Sequence, residues 1–187
     1  MRLHLQGAAM TALPGPVLIG PVGFGPSHGH LYIYSAPRAV LQHIQWSVAE
    51  VLKTPVTLNW QPQPIAPSTF RCEISWQGIV GTGAQLTSTL KGWHYLTFEL
   101  HEAAANGSDG SIFMFTPDLG LFHGTVGPHG DLMINENQIR KALGINGRDS
   151  AVIEEIERLL GTKWDEHLEP FRQARDGFGL ATAKVSV

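Results

Sequence analysis

The sequence predicts an α+β fold: a ferredoxin-like βαββαβ core, with an antiparallel sheet carrying two helices on one face, extended by a β-hairpin and C-terminal helices. Three observations carry this expectation. Leu31 to Leu52 reads as a strand running directly into an amphipathic helix, and a unit of similar build returns from Phe70 to Trp93. The four strand candidates of these units all alternate apolar and polar residues, the pattern of half-buried antiparallel strands.

The first strand, Leu31 to Ser35, sets Leu31 and Ile33 against Tyr32 and Tyr34. Ser35 is placed to cap the helix that follows, and an early Pro37 costs it no internal hydrogen bond. That helix gathers Val40, Leu41, Ile44, Val48, Val51 and Leu52 in one stripe and stops before Pro55. Its opposite ridge holds His43, Trp46 and Glu50. A tryptophan there is either covered by the C-terminal helices, the more ordinary fate, or part of a binding surface.

The second strand is expected at Val56 to Trp60, followed by the stiff stretch QPQPIAP; the third, Phe70 to Trp76, turns Phe70, Cys72, Ile74 and Trp76 inward. The turn GIVGTG leads to a second helix begun by Leu86 and Leu90 and ended at Gly92, and Tyr95 to Leu100 forms the fourth strand. In the split βαβ plan the first and third strands lie side by side. Tyr32, Tyr34, Arg71, Glu73, Thr97 and Glu99 then share the face away from these helices. Paired tyrosines suit an RNA platform, but the acidic neighbours argue against one, and cover by the rest of the chain is expected.

Farther on, Ser111 to Phe115 and Leu119 to Val126 join through TPDLG as a hairpin, and Asp131 to Ile134 forms another short apolar run. Asn135 with Gln138 makes a capping box. Ser150 is expected to cap the next helix and Gly161 to stop it, and a last helical piece, Trp164 to Arg172, is ended or kinked by Pro170. Residues 1–30 read as a poorly ordered lead-in rich in Pro and Gly, 31–176 as one α+β domain and 177–187 as a tail. Met1 and Met10 are both candidate starts.

Composition narrows the function classes. Of the 187 residues 43% are hydrophobic, ample for a core, and 21 glycines and 12 prolines imply structured loops. Net charge is -3 with no run of Lys or Arg, so nucleic acid is not an expected partner. Prolines 14, 16 and 21 break the apolar stretch Ala12 to Gly25, which therefore suits neither a signal helix nor a membrane span, and no membrane partner is expected. The single cysteine, Cys72, reads as a small core residue, and the chain as cytoplasmic.

The chemical candidates are sparse. Nine histidines include His123 and His129 near Asp131, a set that would suit a divalent metal although its spacing matches no standard site, so no cofactor is expected. Gly81, Thr82 and Gly83 precede a helix, where backbone N–H groups hold an anion or, more ordinarily, where Thr82 caps a tight turn. Asp118, His123, His129 and Asp131 are the only catalytic candidates, without assigned roles.

Several stretches together resemble an actinobacterial family, the domain-of-unknown-function 3145 family: YSAPRA (Tyr34 to Ala39), HIQW (His43 to Trp46), NWQPQPIAP (Asn59 to Pro67), SWQGIVGTGAQL (Ser75 to Leu86), TPDLGLFHG (Thr116 to Gly124), Gly130–Asp131 and WDEHLEPFR (Trp164 to Arg172). The likeness spans about Leu31 to Arg172. It implies no established activity, only an accessory role linked to fatty-acid or acyl-CoA metabolism.

Loops with embedded tryptophans then favour a non-catalytic module that binds a protein partner or a second copy, using His43, Trp46, Trp60, Thr116, Asp118 and Phe122. The competing expectation is a small-molecule enzyme or ligand-binding protein with a pocket lined by Thr116, Asp118, His123, His129 and Asp131. A third is a homodimer formed through the sheet face that bears Tyr32 and Tyr34.

Overall fold

A computed structural model describes residues 25–105, 107–144 and 149–182, of which 176–182 are described as helix backbone only. The expected lead-in up to residue 24, Met10 within it, and the tail from residue 183 lie outside the described residues. The elements run β1 Pro26–Pro37, a 3-10 turn Arg38–Val40, α1 Leu41–Leu52, β2 Gln61–Pro62, β3 Thr69–Ile79, α2 Thr82–Leu90, β4 Thr97–Glu102, β5 Gly110–Thr116, β6 Gly120–Val126, β7 Leu132–Met133, α3 Glu136–Leu143, α4 Asp149–Leu160 and α5 Thr162–Thr182. All seven strands join one antiparallel sheet in the order β2-β3-β1-β4-β5-β6-β7.

Alternation divides the sheet residues between two helical layers. Leu31 and Ile33 of β1, Phe98 and Leu100 of β4, and Phe113 and Phe115 of β5 pack with Ile44 and Val48 of α1 and Leu86 and Leu90 of α2. On the other face Tyr34, Met114 and Phe122 meet Leu168 of α5, with Trp164 and Phe171 beside them. The helices α3 and α4 pack on one another, and α4 on α5. Within β1 the register against both neighbours slips after Ile33, a bulge that also admits Tyr34 and Ser35 to the buried layer.

Several local expectations are met. The hairpin turns at TPDLG, where Thr116 Oγ1 accepts the Leu119 N–H and Gly120 adopts φ +73°. Asn135 and Gln138 form the capping box of α3.

Others need correction. The strand expected at Val56 to Trp60 is a connection without regular structure: the Leu58 N–H donates to Gln45 Oε1 of α1, and pairing with β3 begins only at Gln61 and Pro62, where the Gln63 N–H donates to the Thr69 carbonyl. Residues 26–30, expected in the lead-in, are strand. Ser35 lies within β1 and caps nothing, because the 3-10 turn separates it from α1. Ser150 falls inside α4, which begins at Asp149. The helix α5 does not end at Pro170 but continues to Thr182 and takes in residues expected in the tail. Pro170 costs one helical hydrogen bond, and the packing of Leu168 and Phe171 on the sheet holds the helix together across it.

Gly161, at φ +74° between α4 and α5, has the conformation expected of a helix stop. It also lies so close to Phe122 that an added Cβ would stand 2.7 Å from the ring. A Gly161→Ala variant is expected to lose about 2 kcal/mol from the left-handed backbone and the displaced ring together, read as a lower urea midpoint at unchanged m-value.

Candidate functional site

Two side-chain clusters, one on each side of the sheet, merit consideration as sites. On the α1–α2 side, burial of Ile44 and Val48 turns His43 and Trp46 outward, and Trp46 is 59% exposed. The connection from α2 to β4 adds Trp93 and Tyr95. Fully buried Leu90 and Leu96 pin its two ends, and Trp93 bridges them by donating its N–H to the Leu90 carbonyl and accepting from the Leu96 N–H. The result is a row of rings. Trp46 meets His43 edge-on at 5.4 Å, His43 stacks on Trp93 at 6.2 Å, and Trp93 lies 6.3 Å from Tyr95. Of the C-terminal helices expected to cover Trp46, α5 packs on the other face of the sheet. Tyr95, expected at the start of the fourth strand, lies before β4, and neither it nor Trp93 carries a sequence signal for this row. Trp60 is half-buried against the core below α1 and α2.

The second cluster lies beneath α5. Glu99 is almost fully enclosed, its side chain 5% exposed, and three donors converge on its carboxylate. The Tyr34 hydroxyl donates to Oε2 at 2.9 Å, Arg172 Nε to Oε2 at 3.0 Å, and His101 Nε2 lies 2.7 Å from Oε1. Burial pushes the carboxyl pKa up, but the hydrogen bonds from His101 and Arg172, and their charges, outweigh it and bring it down to about 2. Burial and then the Glu99 charge push the Tyr34 phenol far above its usual range.

Gln63 fixes the bulge that sets Tyr34 in place: its buried side chain donates to the Tyr34 carbonyl at 2.7 Å. Arg172 also binds Asp165 of its own helix. Tyr32 stacks between His30 and Tyr34, meets His101 edge-on at 6.1 Å, and carries the Arg175 guanidinium over its ring. With α5 over Tyr34, the expected homodimer through this face loses its central contact, because the chain covers the residue itself.

The family model described as "Protein of unknown function (DUF3145)" matches residues 30–182. The chain belongs to the DUF3145 family. No curated protein and no solved structure matches it. In this DUF3145 chain the 116–131 segment does not assemble as a pocket. Thr116 and Phe122 are buried, Asp118, His129 and Asp131 are exposed on turns, and His123 stacks on Phe113 at 4.5 Å, on the sheet face opposite to that of Phe122. Among the described residues no three His, Cys, Asp or Glu side chains are grouped to hold a metal ion, which scatters the His123, His129 and Asp131 set.

The DUF3145 chain fills the anion cradle at Gly81 to Gly83 from within: the Glu102 carboxylate accepts from the Gly81 N–H at 2.7 Å and the Gly83 N–H at 3.0 Å. Thr82 Oγ1 closes the preceding turn by accepting from the Ile79 N–H and does not cap α2, whose N-cap is Gly81. Cys72 is buried, and burial raises its thiol pKa well above the usual range, so it is no nucleophile. Among the described residues no helix is long and apolar enough to cross a membrane.

Proposed function

We propose that this chain is a partner-binding, accessory module acting in the cytoplasm, and that the row Trp46, His43, Trp93 and Tyr95 is its docking surface. The carrying observation is Trp46, more than half exposed on a helix whose other face buries Ile44 and Val48 in the core. Exposed tryptophan and tyrosine at the centre of a contact supply most of the binding energy, about 2 kcal/mol or more per anchor. The occupant that fits is a protein segment with an apolar anchor and acidic flanks. Leu41 to Ala49 and Leu90 to Leu96 hold no carboxylate and include Lys91, His94 and His43, while Glu50 is engaged by Lys53.

The scaffold reading belongs to the same proposal. We infer that β1-α1-β2-β3-α2-β4 follows the ferredoxin-like plan, an inference supported by the strand order β2-β3-β1-β4, the antiparallel ladders and the packing of α1 and α2 on one face.

A Trp46→Ala, His43→Ala double variant is expected to keep its thermal stability within about 0.5 kcal/mol, since both side chains are exposed. It should lose a stoichiometric partner that wild-type protein retains from native cytoplasm. Hydrogen exchange of that complex should show protection at α1 and at residues 91–95. Protection elsewhere, or a partner retained by the variant, would refute the assignment.

A further inference from the structure

The cluster under α5 holds a group that partner binding does not use. His101 is half-exposed, at 42%, while the carboxylate behind it is enclosed. An ionised carboxylate only accepts, so His101 Nε2 carries the proton in this hydrogen bond, and in the neutral form of the ring the free lone pair lies on Nδ1. Among the described residues this is the one histidine bound to a carboxylate; His30 bonds to Ser75 Oγ and His123 to Ser111 Oγ. A carboxylate at one ring nitrogen raises the basicity of the other. Glu99 is itself held from two sides, by Tyr34 on a bulged strand and by Arg172 on α5.

We propose that His101 is a nucleophilic site that takes a phosphoryl group on Nδ1 from a small phosphoryl donor, with Glu99 as its positioning residue. The Nδ1 lone pair attacks phosphorus. The N–P bond forms as the bond from phosphorus to the leaving group breaks, and the leaving group departs with that electron pair and takes a proton from water. The Nε2 proton stays in place, and the positive charge gained by the ring is held against Glu99. Groups suited to a transferred dianion stand nearby: His30 is the cross-strand partner of His101, and Tyr32, edge-on to His101, carries the Arg175 guanidinium over its ring.

The test treats the full chain with phosphoramidate and follows each of its nine histidines by peptide mass spectrometry. His101 is expected to be labelled about tenfold faster than the more exposed His43, His94 and His129, with the N–P bond at Nδ1 by phosphorus–nitrogen NMR. In Glu99→Gln the His101 rate should fall to that of the others while theirs stay unchanged. A His101 rate no higher than those of the exposed histidines, attachment at Nε2, or a fast rate that survives in Glu99→Gln would each overturn the proposal. The wild-type ranking and the atom of attachment decide the matter even where the variant fails to fold.

Discussion

Replacing Arg172 by alanine is expected to lower the unfolding free energy by about 3 kcal/mol. Arg172 is only one-fifth exposed, and its Nε is one of the three donors on an enclosed carboxylate. Its loss strands the Glu99 charge in the interior with Tyr34 and His101 alone. It also releases Asp165 and removes the guanidinium contact with the Met114 sulfur. The Glu136–Arg140 pair on α3 is the internal control, because both side chains are about three-quarters exposed. Arg140→Ala should therefore cost no more than about 0.5 kcal/mol. Urea unfolding of the two variants side by side measures the contrast, and equal losses would show that the buried cluster does not hold α5 down.

Acid should undo the same interaction in a defined window. Glu99 titrates at about 2 in the folded chain against 4.5 as an ordinary glutamate. A depressed carboxylate gives stability that is complete above the unfolded value and disappears as the pH falls through the folded one. Between pH 4.5 and 2 wild type should thus lose about 3 kcal/mol from this group alone. Glu99→Gln, which has no such titration, should start lower and vary less, so the gap between the two narrows towards pH 2. A gap constant across that range would mean that Glu99 is not ionised in its hydrogen bonds to Tyr34, His101 and Arg172.

What the residues disclose by themselves is the alternation and the local stops. Leu31 and Ile33 against Tyr32 and Tyr34, the TPDLG turn, the Asn135–Gln138 box and the Gly161 stop each depend on neighbours a few positions away, and each is met. The start of β1 escapes this reading because its buried residues are Ser27 and Gly29, small groups that carry no apolar signal, Gly29 lying against the Trp76 ring. The fate of Trp46 depends on which face of the sheet receives α5, and no single element's periodicity specifies that. Glu99 is visible as an outward residue of its strand, but its charge partner arrives 73 positions later. The Gly81–Gly83 cradle looks open until Glu102 folds into it from 19 to 21 positions away.

Gly29→Ala is expected to cost about 4 kcal/mol, enough to leave much of the chain unfolded at ordinary temperature. Its conformation is ordinary extended strand, so the cost is one of space alone. A Cβ there would stand 1.8 Å from the His101 carbonyl oxygen and 2.6 Å from the Trp76 ring. The carbonyl belongs to the ladder in which Gly29 faces Glu102 and His30 faces His101, so it cannot retreat without parting β1 from β4. Nor can Trp76 move freely, since it is enclosed in the core with Leu31 and Leu100. Gly25→Ala is the control, one residue before the strand, where a Cβ meets nothing within 4 Å and the change should stay within about 0.5 kcal/mol. Circular dichroism melts of the two separate a crowded strand crossing from a general intolerance of substitution at the start of β1. A Gly29→Ala variant as stable as Gly25→Ala would mean that β1 and β4 do not approach at this register, and the placement of His30 opposite His101 would fall with it.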